Sequence, residues 1–159
     1  MAARTPADVQ AALDELGVDI QVEVHEESTA TAEEAAEAAG CELGQIAKSL
    51  CFSINGEPVL IITAGDKRVD DRKVGRLYDV SRKKVRLADF ETTTEVTGYD
   101  PGGVPPVGHA HPLPILIDST LGRYETIFAA AGSPQAIFPI PFDTLVAITG
   151  GTVADIAQD

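Results

Sequence analysis

Asn55-Gly56 is the dipeptide that most restricts how this chain can fold. A two-residue type I′ turn needs positive φ at both central positions, and Asn-Gly adopts it at little steric cost. The flanking residues are apolar, so two antiparallel strands are predicted to meet there. In the first arm Leu50, Phe52 and Ile54 fall on one face and Ser49, Cys51 and Ser53 on the other. The second arm, Val59 to Thr63, is continuously apolar, as expected of a strand covered on both faces. Pro58 belongs where no ladder donor is needed. Lys48 shares the parity of the apolar face. A lysine there either snorkels from the strand's end or is placed for chemistry, and the hairpin alone leaves both readings open.

The rest of the chain alternates helix and strand signals. Val9, Ala12, Leu13 and Leu16 recur at helical spacing over Pro6 to Leu16, with Thr5 as N-cap, Pro6 at the first helical position and Gly17 beyond the end. Val18, Ile20, Val22 and Val24 alternate and predict a half-buried strand. Thr31 and Glu34 form a capping box for a helix whose apolar face, Ala32, Ala35, Ala36 and Ala39, is small enough for close packing; Gly40 ends it. Asp66 is positioned to cap a basic helix reaching about Tyr78. A short strand is expected at Val85 and Leu87, and a helix capped by Asp89 through about Thr97. Leu113 to Asp118, Thr126 to Ala131 and Ala136 to Ile140 read as strands, and Phe142 to Thr149 as a closing helix with Asp143 as candidate N-cap. Such an order predicts an α/β or α+β chain with a mixed sheet.

With 159 residues, one domain over 1–159 is expected, and no run approaches the roughly 18 apolar residues of a membrane span. MAARTPADVQ has no apolar signal region, and Cys41 and Cys51 lack metal or redox spacing, which together suggest a cytoplasmic protein with reduced thiols. The net charge of −13 argues against nucleic acid until its distribution is considered. Residues 1–45 hold eleven acids and one base, Arg4. Residues 67–86 hold Lys67, Arg68, Arg72, Lys73, Arg76, Arg82, Lys83, Lys84 and Arg86, nine of the twelve basic residues. That block is either a local anion-binding surface or a solvated face balanced by Asp66, Asp70, Asp71 and Asp79.

More than half of residues 98–112 are proline or glycine, which marks an ordered functional loop. Pro101, Pro105 and Pro106 carry no N–H. The amides of Gly102, Gly103 and Val104 therefore stand between rigid flanks and could hold an oxyanion or a carbonyl oxygen. The alternative is a rigid surface turn. His109 and His111 would point to one side of a strand, but two histidines with no third ligand nearby in sequence are a weak metal signal. Ser133 does not sit in a nucleophile elbow and reads as a turn serine that could also bond a ligand.

Taken together, IAKSL (46–50), the hairpin after it, GDKRVD (65–70), TGYDPGGVPPVG (97–108), LID (116–118) and AAGSP (130–134) resemble the YbaK/prolyl-tRNA-synthetase-associated domain family. The resemblance runs from about His25 to Ile156. It implies a mixed, strongly curved, barrel-like sheet flanked by helices. It also implies metal-free, cofactor-free hydrolysis of the ester of a mischarged tRNA, chiefly tRNA for proline carrying alanine or cysteine. The family's functional lysine falls on Lys48, its Gly-x-x-x-Pro loop on Gly102 to Pro106, and its Gly-Ser pair on Gly132 and Ser133. The resemblance implies that Lys48 holds the acceptor end while the amides of Gly102, Gly103 and Val104 orient the ester. Pro106, Gly132, Ser133 and His109 are then expected at the substrate. Lys67, Arg68, Arg72 and Lys73 are expected at tRNA phosphates, with a synthetase as a further partner. The competing expectations are a non-catalytic binder of a tRNA end or nucleotide-like ligand and, behind it, metal-dependent hydrolysis through His109 and His111.

Overall fold

The structure, a computed structural model, describes residues 4–159. In chain order the elements are α1 (Pro6–Glu15), β1 (Glu23–Val24), α2 (Ala32–Ala39), β2 (Ile46–Ile54), β3 (Glu57–Ala64), α3 (Asp71–Tyr78), β4 (Val85–Leu87), α4 (Phe90–Thr97), β5 (Ile115–Asp118), β6 (Thr126–Ala130), β7 (Ala136–Pro141), α5 (Phe142–Thr149) and β8 (Thr152–Ala154). Short 3-10 segments precede β2, β4 and β6.

The Asn55-Gly56 hairpin is the middle of the sheet. Asn55 and Gly56 take φ of 52° and 86°, the pair of positive values a type I′ turn requires. β2 and β3 pair along their length, from Ala47 opposite Ala64 to Ile54 opposite Glu57. β3 is buried from Val59 to Ala64, and Leu60, Ile61 and Ile62 are wholly so. Burial of each such side chain stabilises by about 1.5–3 kcal/mol relative to exposure. The sheet is mixed, with order β1-β7-β6-β2-β3-β5-β8 and β4 on β2. The order is linear, so the sheet is open. β2–β6, β3–β5 and β5–β8 are parallel and the remaining pairs antiparallel.

Local signals translate directly. Thr5 N–H donates to the Asp8 carboxylate at 2.7 Å, and Thr31 Oγ accepts from Glu34 N at 3.1 Å. Ala32, Ala35 and Ala36 are buried against Ile46 and Ile137. A Cβ on Gly65 would lie 2.5 Å from the Leu43 carbonyl oxygen and 3.0 Å from Ala32 Cβ, so the small α2 face and Gly65 together permit this approach.

Several expectations are corrected. Only Glu23 and Val24 of the 18–24 run form a strand, because the Gln10 side chain takes the place of a neighbouring strand: its amide donates to Ile20 O (2.9 Å) and accepts from Val22 N (2.9 Å). The basic helix is capped by Asp70, whose carboxylate accepts from Arg72 N and Lys73 N; Asp66 instead holds Arg123 at 2.8 and 3.1 Å. Pro141, not Asp143, precedes α5, and β5 begins at Ile115 rather than Leu113. His109 and His111 lie in loop, not strand. β8, at residues 152–154, has no counterpart among the expected strands.

Candidate functional site

The parity of β2 organises the site. Phe52 and Ile54, with Leu50 packed beside them, belong to a core cluster that includes Val74 of α3. Ile46, at the other end of the strand, belongs to a separate cluster under α2. Lys48 shares their parity and lies between the two clusters. Among the described residues no carboxylate comes within ion-pair distance of its ammonium.

The sheet is also interrupted here. The edge of β2 away from β3 pairs with β6 at Ile46 and Ala47, and with β4 at Phe52 to Ile54. Lys48, Ser49 and Leu50 have no strand on that side. A cavity of about 100 Å³ occupies the break. Its walls are largely apolar, from Ala32 and Ala35 of α2, Ile46 of β2, Phe128 of β6 and Ile137 of β7. Crevices where neighbouring parallel strands part are common ligand sites in α/β sheets.

The 102–104 loop borders the cavity and rests on a second loop behind it. Gly102, with φ of 92°, and Val104 line it, and a Cβ on Gly102 would meet Ala30 Cβ at 3.5 Å. Gly103 packs on the Gly132-Ser133 turn: its carbonyl accepts from Gly132 N at 2.9 Å, and a Cβ on it would sit 3.0 Å from the Ser133 backbone. The loop and the Gly-Ser turn expected at the site are thus brought together. Their chemistry is uneven. Gly103 N–H donates to Asp100 O at 3.1 Å inside the turn, while Gly102 and Val104 N–H find no acceptor among the described residues. Ser133 Oγ accepts from Gln135 N at 3.2 Å and does not line the cavity; Gly132 packs against the Thr5–Pro6 backbone. Pro106 is buried behind the loop, also outside the lining.

His109 is placed as a staple of this loop rather than in its cavity. Its Nε2 is 2.7 Å from the Pro105 carbonyl, which fixes the proton on Nε2 as donor. Burial lowers its pKa, the Pro105 contact opposing that shift. Tyr99, wholly buried, donates its hydroxyl to Gly108 O at 2.8 Å and steadies the loop's far end; burial pushes its pKa up to about 12. His111 is exposed. Among the described residues no group of three or more His, Cys, Asp and Glu side chains is arranged to hold a metal ion, and no helix is long and apolar enough to cross a membrane.

The four basic residues expected at phosphates divide. Lys73 is committed: its ammonium bonds Asp155 (3.0 Å), Ala157 O (2.7 Å) and Asp159 (3.2 Å), tying α3 to the chain's last residues. All three of its donors are used. Lys67, Arg68 and Arg72 form no ion pair among the described residues. Thr29, which the sequence did not single out, lines the cavity between Gly102 and the 132–134 turn, with its N–H on Pro134 O at 2.6 Å. Its only sequence signal is that it stands two residues before the capping-box threonine.

The family model described as aminoacyl-tRNA editing domain matches residues 26–148. YwhH of Bacillus subtilis (strain 168), an uncharacterized protein, is 41% identical over 109 residues, covering 68% of this chain and 68% of its own. EbsC of Enterococcus faecalis (strain ATCC 700802 / V583), provisionally named a Cys-tRNA(Pro)/Cys-tRNA(Cys) deacylase, is 28% identical over 127 residues, 79% of this chain and 76% of its own. A solved structure provisionally described as a trans-editing enzyme for prolyl tRNA synthetase superposes with a TM-score of 0.91 at 39% identity, over 100% of both chains.

Proposed function

We propose that this chain, which belongs to the aminoacyl-tRNA editing domain family, hydrolyses in trans the ester of a mischarged tRNA, namely tRNA for proline carrying alanine or cysteine. The observation that carries this reading is the placement of Lys48 at the break in the sheet. A cation without a carboxylate partner lines a small apolar cavity that Gly102 and Val104, whose N–H groups find no acceptor among the described residues, also border.

In this reading Lys48 holds the negatively charged acceptor end at the rim, as a fixed charge rather than a general base. The aminoacyl side chain enters the cavity, whose largely apolar walls favour a small, uncharged one. Gly102 and Val104 N–H point the ester carbonyl and stabilise the oxyanion that forms on it. Water, activated by the substrate's own amine or a ribose hydroxyl, attacks the carbonyl carbon. The C–O bond to the ribose then breaks, the ribose oxygen takes a proton, and the free amino acid leaves. No resident metal or cofactor takes part. A hydrophobic sieve of this kind discriminates by about 1–3 kcal/mol per methylene, enough to slow prolyl esters against smaller ones.

The test is hydrolysis of a panel of mischarged tRNAs by wild type and Lys48→Ala. Turnover by wild type and a loss of roughly 10²-fold in kcat/KM for the variant are expected. Full activity in the variant, or no turnover of any ester, would refute the reading. Tight tRNA binding without turnover would make the protein a ligand binder of the same fold.

A further inference from the structure

Among the described residues seven large apolar side chains are exposed, and they are not scattered: Leu77, Tyr78, Leu87 and Phe90 fall within residues 77–90. Leu87 and Phe90 stand beside the site. β4 pairs Leu87 with Phe52 of β2. Residues directly opposite in an antiparallel pair share a face, so Leu87 is on the face that carries Leu50 and Lys48. Ala88 N–H then donates to Cys51 O at 2.9 Å, at the margin of the break that runs from Lys48 to Leu50. Phe90 opens α4 two residues later, on the helical stripe of the buried Thr93 and Thr97. Leu87 is 62% and Phe90 60% exposed, and neither lines the cavity. Single exposed apolar residues are ordinary, but a pair at the rim of a ligand site marks a surface that binds something.

The surroundings select the occupant. Residues 82–90 hold four bases, Arg82, Lys83, Lys84 and Arg86, and one acid, Asp89, whose carboxylate accepts from Thr92 N at 2.8 Å. Exposed apolar and aromatic side chains set among cations suit a single nucleic-acid strand: its bases stack on the side chains and its phosphates meet the charges. A protein partner is the poorer fit, because lysine is depleted from protein interface cores. The spacing agrees. Four residues of β2 from Lys48 to Phe52, the partner of Leu87, span roughly 13 Å, the reach of about four stacked nucleotides at ~3.4 Å each. We propose that Leu87 and Phe90 form a stacking platform for the unpaired nucleotides at the 3′ end of the tRNA, between Lys48 and the basic edge of β4. The inference rests on the reading above for the choice of RNA, and it adds a base-binding surface outside the cavity.

The protein contains no tryptophan, so Phe90→Trp places a single fluorophore on the platform. The probes are uncharged tRNA for proline, intact or lacking its unpaired 3′ nucleotides. Intact tRNA is expected to quench the Phe90→Trp fluorescence, and the truncated form is not. In anisotropy titrations Phe90→Ala should weaken binding of intact tRNA about tenfold, and Leu87→Ala by a smaller factor, as loss of one stacked base predicts. The salt dependence stays that of wild type, because a stacked base releases no counterions. Unchanged affinity of Phe90→Ala for the truncated tRNA reports an intact fold. Equal quenching by both RNAs, no quenching, an equal loss of affinity for both, or wild-type affinity of Phe90→Ala for intact tRNA overturns the inference. Loss of self-association or of binding to prolyl-tRNA synthetase in Phe90→Ala, with tRNA affinity unchanged, overturns it in favour of a protein interface. Because the readout is binding, the two readings fail separately. Stacking without turnover of any ester overturns the deacylase reading alone, and turnover with wild-type tRNA affinity in Phe90→Ala overturns the platform alone.

Discussion

His109 shows how a single side chain can hold a cavity-lining loop without itself lining the cavity. Pro105 and Pro106 supply no N–H of their own, and the His109 ring provides the donor to the Pro105 carbonyl. His109→Ala strands that buried carbonyl and should cost about 1–3 kcal/mol in urea unfolding. The pH dependence follows from burial, which holds the imidazole below its ordinary value against the opposing carbonyl contact. As pH falls, the unfolded chain takes up this proton before the folded one does. The contribution is therefore complete above the unfolded pKa of about 6.5 and is lost as pH falls through the lower folded value. His109→Gln should remove that part of the acid slope, read from urea midpoints between about pH 7.5 and 5.5. An unaltered slope would show that His109 does not carry it. The histidines themselves were visible in the sequence, where they were a weak metal signal and the family resemblance set His109 at the substrate. The contact it makes to Pro105 was not legible, because it links residues four apart in a proline loop with no repeating geometry.

At the scale of elements, what was legible was what is local. The Asn55-Gly56 turn, the Thr5 N-cap, the Thr31–Glu34 capping box, the small face of α2 and the bounds of α5 depend on residues within one turn of each other, and all are found. The parity that set Lys48 beside Leu50, Phe52 and Ile54 was equally readable. That its face is divided between α2 and α3 was not, nor was the break along β2, because both depend on where β6 and β4 pair some eighty and thirty residues away. The 18–24 run failed for a related reason. Its alternation is real and Val18, Ile20 and Val22 do pack on the core, but the backbone partner is a glutamine side chain on α1. Gln10→Ala leaves the Ile20 carbonyl and Val22 N–H without that partner. It should lower stability by about 1–2 kcal/mol and raise amide exchange at Val22 above that of β3, measured by native-state hydrogen exchange. Exchange at Val22 equal to wild type would mean that the segment is held by its apolar contacts alone.

At the scale of the whole molecule, the charge segregation seen in the sequence acquires a geometry. The exposed Arg82, Lys83, Lys84 and Arg86 run into β4, which continues the edge of β2 that carries Lys48. Four to six residues of strand separate Lys48 from that pairing, roughly 13–20 Å. A tRNA end held at Lys48 would bring its stem phosphates to this edge and to Arg72 on the first turn of α3. Lys73, one residue on, is a tether to Asp155 and Asp159 and belongs to stability. The two roles separate experimentally. Arg72→Glu/Lys83→Glu/Lys84→Glu should weaken binding of uncharged tRNA for proline. It should also flatten the dependence of log K on log salt by about 0.7–0.9 for each phosphate no longer neutralised, while the thermal midpoint stays near that of wild type. Lys73→Glu should do the reverse: it sets a third carboxylate against Asp155 and Asp159, lowers the thermal midpoint, and leaves the salt slope in place. Anisotropy titrations at several KCl concentrations, paired with thermal melts, distinguish the two. A triple variant with the wild-type slope would remove this edge from the tRNA path, and a Lys73→Glu variant with a flattened slope and unchanged stability would return Lys73 to it.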